Sequence, residues 1–242
     1  MSGPTIAPDA AEVERLRTAR EGVLERIADA CARSARDAAG VTLVAVSKTV
    51  PPERVAAAVA AGYDVFGENR VQEAEGKLRA APGARWHLVG PLQSNKVRRA
   101  LAAFEMIQSL DSLELAERLD RLGADGVAGT PVPVLLQVNV DEDPGKSGFL
   151  TADLERQLPT ILELPRLDVR GLMTIGRLAD RAEDARPTFV GLRELSTRLR
   201  AGNARLGPEL SMGMSDDFEV AIEEGATIVR VGRALFGERH DH

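Results

Sequence analysis

Lys48 directly follows the run Thr42-Leu43-Val44-Ala45-Val46-Ser47. Such a continuous apolar and β-branched stretch suits a strand buried on both faces. A lysine at the end of that strand is partly desolvated, and desolvation favours the neutral amine. A neutral amine attacks aldehydes and forms a Schiff base. A solvated lysine that merely closes the strand fits the same position.

Two later stretches offer an anion site. Ser211-Met212-Gly213-Met214-Ser215 and Arg230-Val231-Gly232-Arg233 each continue a short apolar run. Gly232 allows a phosphate close to the backbone, where the amides of Gly232 and Arg233 can donate to it. Ser211 and Ser215 add hydroxyl donors. Two ordinary tight turns would carry the same residue types. An imine-forming lysine combined with a phosphate cradle points to a phosphorylated aldehyde. Pyridoxal 5′-phosphate fits, and so does a sugar phosphate handled by a lysine aldolase.

Other polar residues carry weaker signals. Asn69 can point an amide into a site or cap the helix that follows. His87 lies within an apolar run and is as compatible with a structural role as with a chemical one. Ser94 or Asn95 can cap a helix. Gly145-Lys146-Ser147 is not a phosphate-binding P-loop, because Val140 stands where the first glycine belongs, and it reads as a turn-rich loop. The terminal His240-Asp241-His242 could take a stray metal but reads as a disordered tail. No catalytic residue and no metal ligand is assigned.

The elements that must position these residues alternate. Strands are expected at Thr42–Ser47, Tyr63–Phe66, Trp86–Val89, Met106–Ser109, Val134–Val138, Val169–Thr174, Glu209–Met212 and Ile228–Val231. Helix-like stretches lie between them, at Pro51–Ala61, Asn69–Ala80, Lys96–Leu101, Leu113–Leu122, Thr151–Leu162, Asp184–Gly202 and Asp217–Glu224. Eight alternations predict an α/β fold, a single (β/α)8 TIM barrel over residues 41–237. An extra amphipathic helix is expected over residues 9–39, with Leu16, Val23, Ile27 and Ala30 on one face. One domain is expected to take up residues 1–242. Barrel sites lie at the C-terminal strand ends, and the loops after strands seven and eight often hold phosphate. Lys48, Ser211, Ser215, Gly232 and Arg233 stand at such ends.

The chain has 242 residues and a net charge of −6. It carries no basic footprint for nucleic acid or anionic membrane. No apolar run reaches transmembrane length and no signal peptide is visible. The single cysteine, Cys31, excludes an internal disulfide and fits a reducing cytoplasm. It is expected to pack on a helix. Aromatic residues make up 3% of the chain, with one tyrosine, Tyr63.

Several segments together resemble the pyridoxal phosphate homeostasis protein family. They are Ala45-Val46-Ser47-Lys48-Thr49, Phe66-Gly67-Glu68-Asn69-Arg70-Val71-Gln72-Glu73 and Trp86–Lys96. Gly171–Ile175, Leu210–Asp217 and Arg230–Gly237 complete the set. The resemblance implies a barrel like the N-terminal domain of alanine racemase, carrying pyridoxal 5′-phosphate in intracellular homeostasis without turnover. Lys48 would hold the cofactor as an aldimine. Ser211, Ser215 and the Gly232 and Arg233 amides would hold the phosphate. Arg230 would face the pyridine nitrogen, and Asn69 would lie near the ring. An arginine does not readily give up its proton, so the ring nitrogen opposite it would stay unprotonated and the ring would be a weak electron sink. The alternative is an amino-acid racemase of the alanine racemase type, which uses the lysine and a tyrosine from a second domain. Tyr63 is expected away from the site, and no second domain is expected. Apo-enzymes that use pyridoxal phosphate are the candidate recipients, and the family leans monomeric.

Overall fold

In the computed structural model, which describes residues 8–123, 130–176 and 181–237, the apolar runs form eight strands. These are β1 (Thr42–Val46), β2 (Val65–Glu68), β3 (Arg85–Leu88), β4 (Met106–Leu110), β5 (Val132–Gln137), β6 (Leu167–Met173), β7 (Glu209–Ser211) and β8 (Ile228–Val231). All pairings are parallel, in the order β1 to β8, and β8 returns to β1 to close the barrel. Thr42 opposes Ile228 and Val44 opposes Arg230 across that closing seam. The expected (β/α)8 barrel is therefore the observed fold.

A helix follows each strand: α2 (Pro52–Ala60), α3 (Val71–Lys77), α4 (Val97–Ala103), α5 (Leu113–Gly123), α6 (Thr151–Glu163), α7 (Arg186–Gly202), α8 (Phe218–Glu223) and α9 (Arg233–Phe236). Pro52 stands at the first turn of α2, where its missing N–H is no loss. The extra helix α1 (Ala10–Arg33) precedes β1 and packs on α2, α8 and α9. It buries Leu16, Val23, Ile27 and Ala30, the expected face, together with Cys31. Arg26 grips Glu219 of α8 with two hydrogen bonds, and Arg36 donates to the carbonyls of Ile222 and Ala226. The closing seam of the barrel is covered in this way.

The expected helix over 9–39 is too long. The Ser34 hydroxyl donates to the Ala30 carbonyl, and Ala35 takes a left-handed φ of 53°. A side chain bonding back to the last turn and a left-handed residue end a helix. A separate 3-10 turn, Ala38–Gly40, starts at Asp37. The barrel interior contains an apolar cluster of Val44, Val65, Met106, Leu135, Met173 and Ile228, distinct from the larger core between barrel and helices. His240-Asp241-His242 lies outside the described residues.

Among the described residues, no helix is long and apolar enough to cross a membrane. Among them, no group of three or more His, Cys, Asp or Glu side chains is placed to hold a metal ion.

Candidate cofactor site

Lys48 stands just past β1, half-buried, in a turn closed by Val50 N–H donating to the Ser47 carbonyl at 2.9 Å. Thr49 takes a left-handed φ of 66° there. Ser47 itself is fully buried, and its hydroxyl donates to Glu68 at 2.7 Å. Lys77, also buried, donates to the Glu68 carboxylate and to the Ser47 carbonyl. The residue before Lys48 is thus held by both its hydroxyl and its carbonyl. Burial raises the Glu68 carboxyl above the usual range, against the lowering by Lys77 and Ser47.

The two late loops meet as expected. Ser215 Oγ accepts the Gly232 N–H at 3.2 Å and the Ala234 N–H at 3.4 Å. Gly232 is pressed against β1, because a Cβ there would lie 3.3 Å from the Val46 carbonyl. Gly213 turns the first loop at φ 91°, and a Cβ on it would meet the Ala221 methyl at 2.6 Å. Only glycine fits such a turn without strain. Asp217 accepts the Met214 N–H at 2.6 Å and closes the same turn. The Arg233 side chain swings outward to Asp216.

Arg230 points into the barrel and is 4% exposed. Its guanidinium donates to Ser211 Oγ and, at 2.7 Å, to the carbonyl of Thr174 beyond β6. Burial lowers its pKa to about 10, with nearby Asp217 opposing the shift, so it stays charged at neutral pH. Ser211 does not join Ser215. It is fully buried, with its hydroxyl committed between Arg230 and Gln108. In this arrangement the Ser211 hydroxyl supports the arginine.

Asn69 is half-buried at the end of β2, where its backbone passes so close to Gly90 that a Cβ there would sit 2.5 Å from the Asn69 carbonyl. It does not cap α3. Pinned by that approach, the chain turns one residue later, at Arg70, without a side-chain cap. Ser94 and Asn95 form a 3-10 turn and cap nothing with their side chains. The Asn139–Gly148 segment is the turn-rich loop expected of it. Asn139 bonds the backbone of Asp143, and Lys146 reaches the carbonyls of Ile175 and Gly176 at 3.2 and 3.1 Å. Tyr63 lies before β2, at the opposite end of the barrel, buried, with its hydroxyl donating to the Leu16 carbonyl at 3.0 Å. Burial pushes its pKa well up.

Sequence reasoning passed over Glu68, Lys77 and Gln108. The signal for two of them was present, because a polar residue inside an apolar strand run is informative when buried. Glu68 ends Val65-Phe66-Gly67, and Gln108 interrupts Met106-Ile107.

The donors fit a phosphorylated pyridine aldehyde. A buried cation whose hydrogen bonds go to neutral acceptors can face a ring nitrogen, and the crowded Gly232 backbone beside Ser215 suits a phosphate.

Residues 24–240 match the family model of the alanine racemase N-terminal domain. The pyridoxal phosphate homeostasis protein of Aquifex aeolicus (strain VF5) is 46% identical over 220 residues, covering 90% of this chain and 95% of that protein. Its namesake in Escherichia coli (strain K12) is 40% identical over 227 residues, covering 90% and 94%. The structure of PipY from Synechococcus elongatus PCC7942 with PLP bound superposes with a TM-score of 0.77 at 42% identity, covering 89% of this chain and all of that one. An alanine racemase from Clostridium difficile 630 gives a TM-score of 0.71 at 13% identity, over 94% of this chain and 58% of that one, a likeness of fold alone.

Proposed function

This chain belongs to the pyridoxal phosphate homeostasis protein family, within the alanine racemase N-terminal domain group, and on that premise we propose that it binds pyridoxal 5′-phosphate reversibly and carries it without turnover. When bound, the cofactor supplies an aldehyde that condenses with a lysine amine. Lys48 supplies that amine from the end of β1, and the Glu68 and Lys77 contacts hold Ser47 just before it. Ser215 and the amides of Gly232 and Arg233 take the phosphate. Arg230 faces the ring nitrogen, with Ser211 behind it, and Asn69 lies beside the ring.

The observation that carries this reading is Arg230. Its guanidinium is buried and bonded to neutral acceptors, and facing a ring nitrogen it would keep its own proton and leave that nitrogen unprotonated. Carbanion chemistry is then poorly supported, and storage is favoured over turnover. A racemase of the alanine racemase type needs a tyrosine base. The one tyrosine of this chain is bonded to Leu16 at the far end of the barrel. We place the protein in the cytoplasm as a monomer, with apo-enzymes that use the cofactor as recipients.

Borohydride reduction of the cofactor-loaded protein, followed by peptide mapping, tests the reading. A label on Lys48 is expected, and a label confined to any other residue overturns the assignment. Amino-acid enantiomers followed by circular dichroism should show no appreciable racemisation.

A further inference from the structure

Above the apolar cluster inside the barrel lies a line of four polar side chains from four strands. Met106 leads to Gln108 two residues on, and Ile228 leads to Arg230, so both polar residues point inward with a strand's period of two. Arg230 donates to Ser211 Oγ. Ser211 Oγ donates to Gln108 Oε1 at 2.7 Å, and Gln108 Nε2 lies 2.9 Å from His87 Nδ1. His87, Gln108 and Ser211 are all buried, and His87 Nε2 has no partner among the described residues. A barrel interior at this level is commonly filled by branched apolar residues, so the polar line needs a reason.

Its direction follows from what each group can do. A guanidinium only donates, so Ser211 Oγ accepts from Arg230 and has a single proton to give. That proton goes to the amide oxygen of Gln108. The amide nitrogen then faces His87 Nδ1, which must accept, and the ring proton sits on Nε2. Turning the amide over would fill both Ser211 lone pairs with donors and leave the hydroxyl proton without this acceptor. A proton on Nδ1 would set two donors against each other. Burial and nearby Arg85 pull the His87 pKa down to about 4, which keeps the ring neutral.

We propose that His87 and Gln108 are positioning residues for Arg230, forming a one-way hydrogen-bond line that keeps the Ser211 lone pair aimed at the guanidinium. The line fixes Arg230 at the floor of the site, and its role toward the cofactor rests on the reading above that Arg230 faces the ring nitrogen. His87 touches no ligand in this scheme. Its unpartnered Nε2–H marks the end of the line.

Two measurements test this. In the 15N-labelled protein without cofactor, two-bond proton–nitrogen spectra identify the tautomer of His87, one of three histidines and assigned by loss of its signals in His87→Asn. The neutral Nε2–H form at pH 7 is expected, and an Nδ1–H form overturns the line. Gln108→Glu, which presents only acceptors, should switch His87 to a protonated Nδ1, and an unchanged tautomer counts against the proposal. In the second measurement, pyridoxal 5′-phosphate is titrated into folded Gln108→Leu and Ser211→Ala. Both should bind about tenfold more weakly, the effect of one lost interaction of ordinary size. Both should shift the visible band in the same direction. Unchanged affinity and band in folded Gln108→Leu overturn the positioning role. Wild-type protein that binds no pyridoxal 5′-phosphate refutes the cofactor reading instead, and the tautomer still reports on the line. If Gln108→Leu fails to fold, the wild-type tautomer decides.

Discussion

Lys77 Nζ donates to the Ser47 carbonyl at 2.6 Å and to the Glu68 carboxylate, so a buried ion pair grips the residue immediately before Lys48. Both partners are nearly inaccessible to solvent. Breaking one side of such a pair strands the other charge, at a cost of about 3–5 kcal/mol. Glu68→Gln should therefore lose stability of that order in urea unfolding at pH 7. Lys77→Met should lose less, because burial already raises the Glu68 carboxyl and lets it take a proton. The double variant should recover part of the loss. A Glu68→Gln protein as stable as the parent would show that the pair is not coupled to the fold.

His87 makes stability depend on pH. Its pKa falls from the ordinary 6.5 to about 4 in the folded chain, through burial and then through Arg85. A histidine depressed in this way contributes fully above 6.5. The contribution is lost as pH falls toward 4, because the unfolded chain takes up the proton first. The loss by pH 5 amounts to about 2 kcal/mol. His87→Asn, which cannot titrate, should show a correspondingly flatter decline between pH 7.5 and 5 in urea unfolding. Parallel declines in the two proteins would refute the shift.

Gly213 and Gly83 separate crowding from backbone strain. Both have positive φ, 91° and 80°. A Cβ on Gly213 would strike the Ala221 methyl at 2.6 Å and the Phe218 Cα at 2.9 Å, whereas nothing lies within 4 Å of one on Gly83. Gly83→Ala should cost about 1–2 kcal/mol, the left-handed penalty alone. Gly213→Ala should cost about 1–3 kcal/mol more, from overpacking. It should also weaken cofactor binding, since the same turn sets Ser215 against Gly232. Equal losses in thermal or urea unfolding would mean that the loop relaxes freely.

These cases show what a linear pattern conveys. The barrel was legible because buried parallel strands are nearly continuous apolar runs, and the eight expected runs overlap the eight strands. The placing of Lys48, Gly232 and Ser215 at strand ends, with Ser215 against Gly232, was legible because each follows an apolar run. Ser211 and Ser215 look alike in the sequence because they share a residue type and stand four positions apart. Only the inward pointing of β7 commits the Ser211 hydroxyl to Gln108 and Arg230. The Glu68–Lys77 pair was hidden for a different reason. A lysine at the end of α3 returns to the strand before that helix, and no local pattern encodes that return.

Arg230 is the most demanding position, because it combines burial, charge and two neutral partners. Arg230→Lys keeps a positive charge but has no planar fork to reach both Ser211 and the Thr174 carbonyl. Arg230→Ala removes the charge and leaves both acceptors without their donor. Each should weaken pyridoxal 5′-phosphate binding by about tenfold or more, with alanine worse than lysine, because a buried acceptor left unpaired costs about 1–3 kcal/mol. If Arg230 faces the ring nitrogen as proposed, the visible band of the bound cofactor should shift in both. Spectrophotometric titration of folded variants measures the two effects together. Affinity and band position indistinguishable from the parent would remove Arg230 from the site and, with it, the physical ground for storage over turnover.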